Sequence, residues 1–199
     1  MALLSSIWSV IVSIFSYLWW LFLIWLGVFI APFYSFDLLW ITIPVWLSWF
    51  FADYFQEKKG TSFGNAVSNG IIPIWVGIDW TRFLVNSILD EGLGFSWLLS
   101  IKFFLCALAL VYGVTVVYLA VKAKSYVKYV GRIREVTYVL LVVTPVIYGV
   151  TKLSWTWFTA VLLYFPVFYF GIELLFNFLP NPRVIEEDEG GSSSGKFKF

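Results

Sequence analysis

Two side chains of opposite charge, Asp79 and Arg82, lie three residues apart within a long apolar segment of the sequence. At this spacing they are neighbours on the surface of a helix, where each can neutralise the other. One interpretation is an ion pair that locks neighbouring helices together. The other is a gate or coordination site on the path of a solute or proton, because ionisable groups inside a membrane are costly and often functional. The sequence leaves both interpretations open.

The same segment carries a stripe of polar side chains around Asp79. With a helical period of about 3.6 residues, the stripe falls within one arc of about 140°. Its other members are Asn65, Ser68, Asn69, Arg82, Asn86, Ser87 and Asp90. An ionised side chain that faces lipid costs about 2.5–3.5 kcal/mol or more. The stripe is therefore predicted to face other helices or water, although apolar side chains such as Trp75 and Phe83 share the arc.

Three further ionisable side chains lie inside apolar segments. Asp53 and Glu173 fall at similar depth, and they could flank one cation or one proton. Lys102 lies nearer the opposite end of its segment, where it could approach Asp79 but not Glu173. Alternatively, each of these side chains extends to the nearer membrane surface and needs no partner.

A run of cations follows the fourth apolar segment. It is interleaved with tyrosine and valine, and it contains Lys122, Lys124, Lys128, Arg132 and Arg134. A cluster of this size beside a membrane span is typical of contact with anionic lipid head groups. The retention of Lys and Arg on the cytoplasmic side would produce the same pattern without a specific contact.

The composition excludes several other chemistries. The 199 residues include no histidine and one cysteine, Cys106. Histidine-based nucleophile pairs, imidazole metal ligands and thiolate clusters are therefore ruled out, and neither a metal nor a cofactor is expected. Cys106 lies in an apolar run and is interpreted as a small buried hydrophobe. A net charge of +1 argues against nucleic acid as a partner.

Membrane-spanning helices must position these residues, because 61% of the chain is hydrophobic and only 13% is charged. A bilayer core about 30 Å thick needs about 20 mostly apolar helical residues. The sequence predicts an all-α integral membrane protein, a six-helix transmembrane bundle with short loops and spans at 7–30, 38–55, 65–89, 95–121, 133–151 and 155–179. The fifth span is the least regular, because Pro145 permits a kinked span or a re-entrant hairpin.

The distribution of cations predicts the orientation. Ten of the thirteen Lys and Arg residues fall on one side of the predicted spans, and only Lys152 falls on the other. Because such residues stay on the cytoplasmic side, we expect both termini in the cytoplasm and the cell membrane as the location. The first segment is interpreted as a retained span, since no basic stretch precedes it. The tail, 180–199, combines proline, an acidic block and a Gly/Ser run, and is predicted to be disordered.

Three function classes fit these features. The favoured one is a channel or secondary carrier for an ion or small solute, lined by the polar face of the third span. The alternative is a non-catalytic structural or accessory subunit that uses the same face to bind a membrane protein partner or a second copy. An enzyme is not expected, since without histidine it would depend on carboxylates such as Asp53, Asp79 and Glu173, and the short loops leave no catalytic domain.

Overall fold

The chain is all-helical in a computed structural model that describes residues 2–59, 63–91, 94 and 96–180. Side chains are described for these residues except 2–5, 55–59, 91 and 128. The described part of the chain is 88% helical and contains no strand. The predicted helical class is therefore confirmed. The predicted disordered tail lies outside the described residues, apart from Pro180.

Eight helical segments follow one another along the described chain. They are α1 Ala2–Ile30, α2 Phe36–Lys59, α3 Phe63–Glu91, α4 Trp97–Val121, α5 Val127–Val130, α6 Ile133–Ile147, α7 Trp155–Leu163 and α8 Phe165–Phe178. A short 3-10 turn, Ala31–Tyr34, joins α1 to α2. Serine side chains begin α4 and α7: Ser96 and Ser154 accept hydrogen bonds from Leu99 N and Trp157 N, as N-caps do.

Four helical stretches are long and apolar enough to cross a membrane: Ser6–Tyr34, Phe36–Tyr54, Trp97–Val121 and Trp155–Phe178. They correspond to the first, second, fourth and sixth predicted spans, so a membrane-embedded protein is supported. The third and fifth predicted segments also form helices, α3 and α6, but neither meets the same length and hydropathy. Six complete spans and the orientation of the termini stay predictions.

Helix α6 is the centre of the bundle. Twelve of its fifteen residues are buried, and it contacts α1, α2 and α3. Its length is about 22 Å at about 1.5 Å per residue, which is shorter than a bilayer core of about 30 Å. The helix continues past Pro145 and ends at Ile147, ahead of Gly149 with φ +74°, a conformation that favours glycine. The fifth segment is therefore shorter than the predicted 133–151.

Helices α3 and α4 pack closely where glycines remove side-chain bulk. A Cβ atom added to Gly113 would lie 2.5 Å from the carbonyl oxygen of Gly70, and one added to Gly70 would lie 3.0 Å from the carbonyl oxygen of Gly113. This mutual approach of two backbones through small residues is common between membrane helices. Cys106 lies on α4 and is 1% exposed, which confirms its interpretation as a buried hydrophobe.

The sixth predicted span is broken into α7 and α8. The break falls at Tyr164, just before Pro166 in the first turn of α8. Proline cannot donate the hydrogen bond that would continue α7 through this position. The Tyr164 hydroxyl donates to the carbonyl of Leu18 on α1 at 2.7 Å. This contact ties the break to the first helix.

Candidate functional site

One end of α6 lies beside a buried ion pair. Arg134 Nε contacts Asp53 Oδ2 of α2 at 2.8 Å, and the two side chains are 6% and 9% exposed. Trp49 precedes Asp53 by one helical turn and donates its indole N–H to the same carboxylate oxygen at 3.2 Å. The carboxylate therefore has both a cation and a neutral donor in the interior of the protein.

Aromatic rings of α8 cover the cation of this pair. The Arg134 guanidinium lies 4.7 Å from the ring centre of Tyr169 and 5.9 Å from that of Phe176. Such cation–π contacts gain strength where water is excluded. We call Asp53, Arg134 and the three aromatic residues Trp49, Tyr169 and Phe176 the Asp53 layer. It joins α2 to α6 through an ion pair and α6 to α8 through cation–π contacts.

A second ionic cluster lies at the other end of α6. Asp79 Oδ1 accepts hydrogen bonds from Arg82 Nη2 at 2.8 Å and from Arg82 Nε at 3.1 Å. The Tyr148 hydroxyl, just beyond α6, donates to the second oxygen of Asp79, and its ring stacks on Phe83 with 4.0 Å between centroids. Asp79 is 8% exposed but Arg82 is 59% exposed. This pair therefore lies half in the interior and half at the surface of the bundle.

Lys102 completes the second cluster from α4. Its ammonium group donates to the carbonyl oxygen of Ile147, the last residue of α6, at 2.9 Å. A cation in this position compensates the partial negative charge at a helix C-terminus. We call Asp79, Arg82, Phe83, Lys102 and Tyr148 the Asp79 layer. Arg134 and Tyr148 are 14 positions apart along the chain, so the two layers are separated by about 21 Å along α6.

Hydroxyl groups lie on α6 between the two layers. Thr144 Oγ1 accepts a hydrogen bond from Trp80 Nε1 of α3 at 3.2 Å, and Tyr138 accepts one from Trp25 of α1 at 3.1 Å. Thr137 is fully buried and its hydroxyl has no hydrogen-bond partner among the described residues. Thr42 of α2 is 2% exposed and its hydroxyl likewise lacks one there. The interior of the bundle is therefore not purely apolar.

The polar stripe of α3 does not converge on one surface. Asn69 is buried and donates to the carbonyl oxygen of Gly131 at 2.7 Å. Asn65 is half-buried, whereas Ser68 and Asn86 are exposed. Ser68 bonds only its own helix, at Gly64 O. Of the predicted lining, Asp79 and Asn69 face other helices, and the remainder lie at or near the surface of the bundle.

The other predicted pairings differ in outcome. Asp53 is held by Arg134, whereas Glu173 lies half-buried on α8 and is not part of that pair. Lys102 and Asp79 contact neighbouring residues at the end of α6, Ile147 and Tyr148 respectively, so a direct approach of Lys102 to Asp79 stays a prediction. The ion pair between Asp79 and Arg82 follows the three-residue spacing read from the sequence.

The basic cluster divides between the surface and the interior. Lys122, Lys124 and Arg132 are exposed, and the Lys128 side chain lies outside the described residues. Arg134 does not share their surface, because its guanidinium is buried against Asp53 and two aromatic rings. Contact with lipid head groups stays a prediction for the exposed members, and the structure places Arg134 in the core instead.

Several contributors to these layers could not be found by sequence patterns. Tyr148 contacts Asp79, 69 positions away, and Arg134 contacts Asp53, 81 positions away. Of these residues, only Trp49 could have been placed beside Asp53 from the sequence, because a spacing of four residues puts both on one helical face. Within the described residues, no group of three or more acidic or cysteine side chains could hold a metal ion.

No protein family model matches the chain, and neither a curated protein nor a solved structure matches it.

Proposed function

We propose that this chain is a channel or secondary carrier for an ion or small solute, with its path along α6 between the Asp53 layer and the Asp79 layer. The observation that carries the proposal is α6 itself. It is a short, buried helix with an ionic cluster at each end. Discontinuous helices of this kind form the solute sites of many secondary transporters, because their ends present unpaired backbone groups and dipoles to the solute.

The chemistry between the layers supports the same proposal. The buried hydroxyls of Thr42 and Thr137 have no hydrogen-bond partner among the described residues, and buried polar groups without partners are uncommon. A solute or its hydration water would satisfy them while passing along α6. The break between α7 and α8 at Tyr164 adds a second interrupted helix beside this path.

Each ion pair would act as a closure in this mechanism. A paired carboxylate and guanidinium present no net charge to a solute, so the closed layer neither attracts nor releases an ion. A charged solute opens the layer by taking the place of one partner. Arg82 suits an outer closure because 59% of its side chain is exposed while its carboxylate partner is buried. As part of the proposal, both termini lie in the cytoplasm and the Asp53 layer lies nearer that side.

The test is flux through purified protein reconstituted in liposomes, with a panel of ions and small solutes. We expect at least one solute to cross, and Asp79→Asn to reduce its flux strongly, because the variant removes the charge that holds both Arg82 and Tyr148. Asp90→Asn is the matched control, since Asp90 is an exposed carboxylate on the same helix. Equal flux in both variants would contradict the assigned path.

The alternative is a non-catalytic subunit of a membrane protein complex. It is favoured by the pairing of Asp53 with Arg134, because the pair balances its charges within the chain and needs no solute. This alternative would replace the carrier proposal if no solute crosses the membrane and the protein purifies in mild detergent as a stable heteromeric complex. Neither proposal assigns the chain a catalytic step.

A further inference from the structure

A groove lies on the outside of the bundle. Its volume is about 620 Å³, and it is bounded by α3, α4, α6 and the residues just before α6. The walls are mainly apolar and include Pro73 of α3, Leu108 of α4 and Val139 of α6. Leu108 and Val139 are 49% and 55% exposed, so the groove opens at the surface of the bundle. We call it the α4–α6 groove.

Polar side chains gather at one end of the α4–α6 groove. They are Tyr112 of α4, Tyr129 of α5, and Arg132 and Glu135 at the start of α6. Arg132 is exposed and forms no ion pair with Glu135. Glu135 Oε2 is buried and has no hydrogen-bond partner among the described residues. The groove thus combines a long apolar wall with one exposed cation and one carboxylate oxygen that lacks a donor within the described part of the chain.

An unpaired carboxylate oxygen in a buried position is costly, so a donor supplied by a ligand would be bound strongly. We propose that the α4–α6 groove binds a glycerophospholipid with a primary-amine head group. An acyl chain lies along the apolar wall, the phosphate contacts Arg132, and the Glu135 side chain turns towards the groove so that its carboxylate accepts a hydrogen bond from the ammonium group. The volume lies within the range of about 300–1,000 Å³ that ligand sites occupy. This site does not depend on the proposed transport.

The pairing of charges selects the head group. A lipid with only a phosphate would meet Arg132 but would place its negative charge beside Glu135 and leave that carboxylate unpaired. A quaternary ammonium head group carries the positive charge but has no N–H group to donate. A primary amine supplies both the charge and the donor. The structure therefore ranks phosphatidylethanolamine above phosphatidylcholine and phosphatidylglycerol.

The experiment measures which lipid the full chain retains. The protein is reconstituted with equal amounts of phosphatidylethanolamine, phosphatidylcholine and phosphatidylglycerol, and the lipids retained are identified by native mass spectrometry. We expect a preference of about tenfold for phosphatidylethanolamine, which is the effect of one hydrogen bond to a charged group. Glu135→Gln removes the charge with little change in shape but keeps a carbonyl acceptor, so it should reduce that preference several-fold.

A second pair of variants tests the apolar part of the groove. Val139→Trp fills the groove and should abolish lipid retention, whereas Val111→Trp changes a similarly exposed valine of α4 outside it and should not. The proposal would be overturned if lipid is retained without a head-group preference. It would also be overturned if Glu135→Gln leaves the preference unchanged, or if Val139→Trp leaves the retention unchanged. A change in oligomeric mass on filling the groove would overturn it too, because that result would identify a helix of a second copy as the occupant. If Val139→Trp fails to fold, the Glu135→Gln comparison decides alone.

Discussion

Replacement of Arg134 by methionine should destabilise the protein strongly, because it strands a carboxylate in the interior. In the native chain Asp53 is 9% exposed and is bound by Arg134 at 2.8 Å. After the change the Trp49 indole still donates to the carboxylate, but the Arg134 cation is gone. Removal of one partner from a buried ion pair costs about 3–5 kcal/mol. A simple Coulomb estimate agrees, since unit charges about 4 Å apart at an effective dielectric constant of about 20 interact by about 4 kcal/mol.

The double replacement separates the pair from its surroundings. Methionine at Arg134 together with asparagine at Asp53 removes both charges of the pair, so its cost should be much smaller than the sum of the two single costs. Double-mutant cycles on close charge pairs give coupling energies of about 1.5–7 kcal/mol. We expect a value above about 2 kcal/mol here, because both side chains are shielded from solvent.

The assay is equilibrium unfolding in mixed micelles, followed by tryptophan fluorescence. Trp49 contacts the pair directly and reports on it. The comparison variant is Lys124→Met, which removes an exposed cation and should change the free energy of unfolding by about 0.5 kcal/mol or less, as surface substitutions do. The reasoning would be refuted if the single and double costs simply add. It would also be refuted if the Arg134 variant is as stable as the Lys124 variant.

Three further predictions concern packing and hydrogen bonding in the interior. Gly113→Ala should lower the free energy of unfolding by about 1–3 kcal/mol, because the added Cβ would lie 2.5 Å from a backbone oxygen of α3. The control is Gly27→Ala, which should leave the free energy of unfolding unchanged because no atom lies within 4 Å of the added Cβ. Equal losses in the two variants would contradict the packing argument. Thr144→Val should lower the free energy of unfolding by about 1–3 kcal/mol, because it leaves the Trp80 N–H without an acceptor. Thr144→Ser keeps the oxygen and should lower it less in the same unfolding assay. Cys106 is 1% exposed and should react with a thiol reagent only after unfolding; rapid labelling of the native protein would show that α4 opens.

Local contacts were the part of the site that the sequence could predict. Asp79 and Arg82 are neighbours on one helix, so a spacing of three residues was enough to predict their proximity. Cys106 was readable for a similar reason, because its apolar surroundings in the chain become its surroundings in the fold. In both cases the prediction needed only the geometry of a single helix.

Contacts between distant helices could not be predicted in this way. Arg134 stands among surface cations in the sequence, yet its guanidinium meets Asp53 across 81 positions of chain. Which side of the bundle it faces depends on how far α6 is rotated against α2, and hydropathy carries no information on that rotation. The length of α6 was overestimated for a related reason: the apolar run continues to Val150, but the backbone turns at Gly149.

The polar stripe of α3 shows a further limit. A helical projection groups side chains by angle alone, whereas burial also depends on position along the axis. Asn69 and Asp79 fall where α5 and α6 cover α3, whereas Asn86 lies beyond the end of α6 and is exposed. Angular grouping therefore placed Asn69 and Asp79 together, but it could not predict which members of the stripe lie inside the bundle.

The short length of α6 also constrains the order in which the protein is assembled. Four helices are apolar enough to enter a membrane independently, but α6 has fifteen residues, with Arg134 and Glu135 in its first turns. A helix of that kind gains little by entering lipid alone, since its charge would have no partner. We therefore expect α6 to enter a membrane after α2, which carries Asp53, once the surrounding helices have formed a site to receive it.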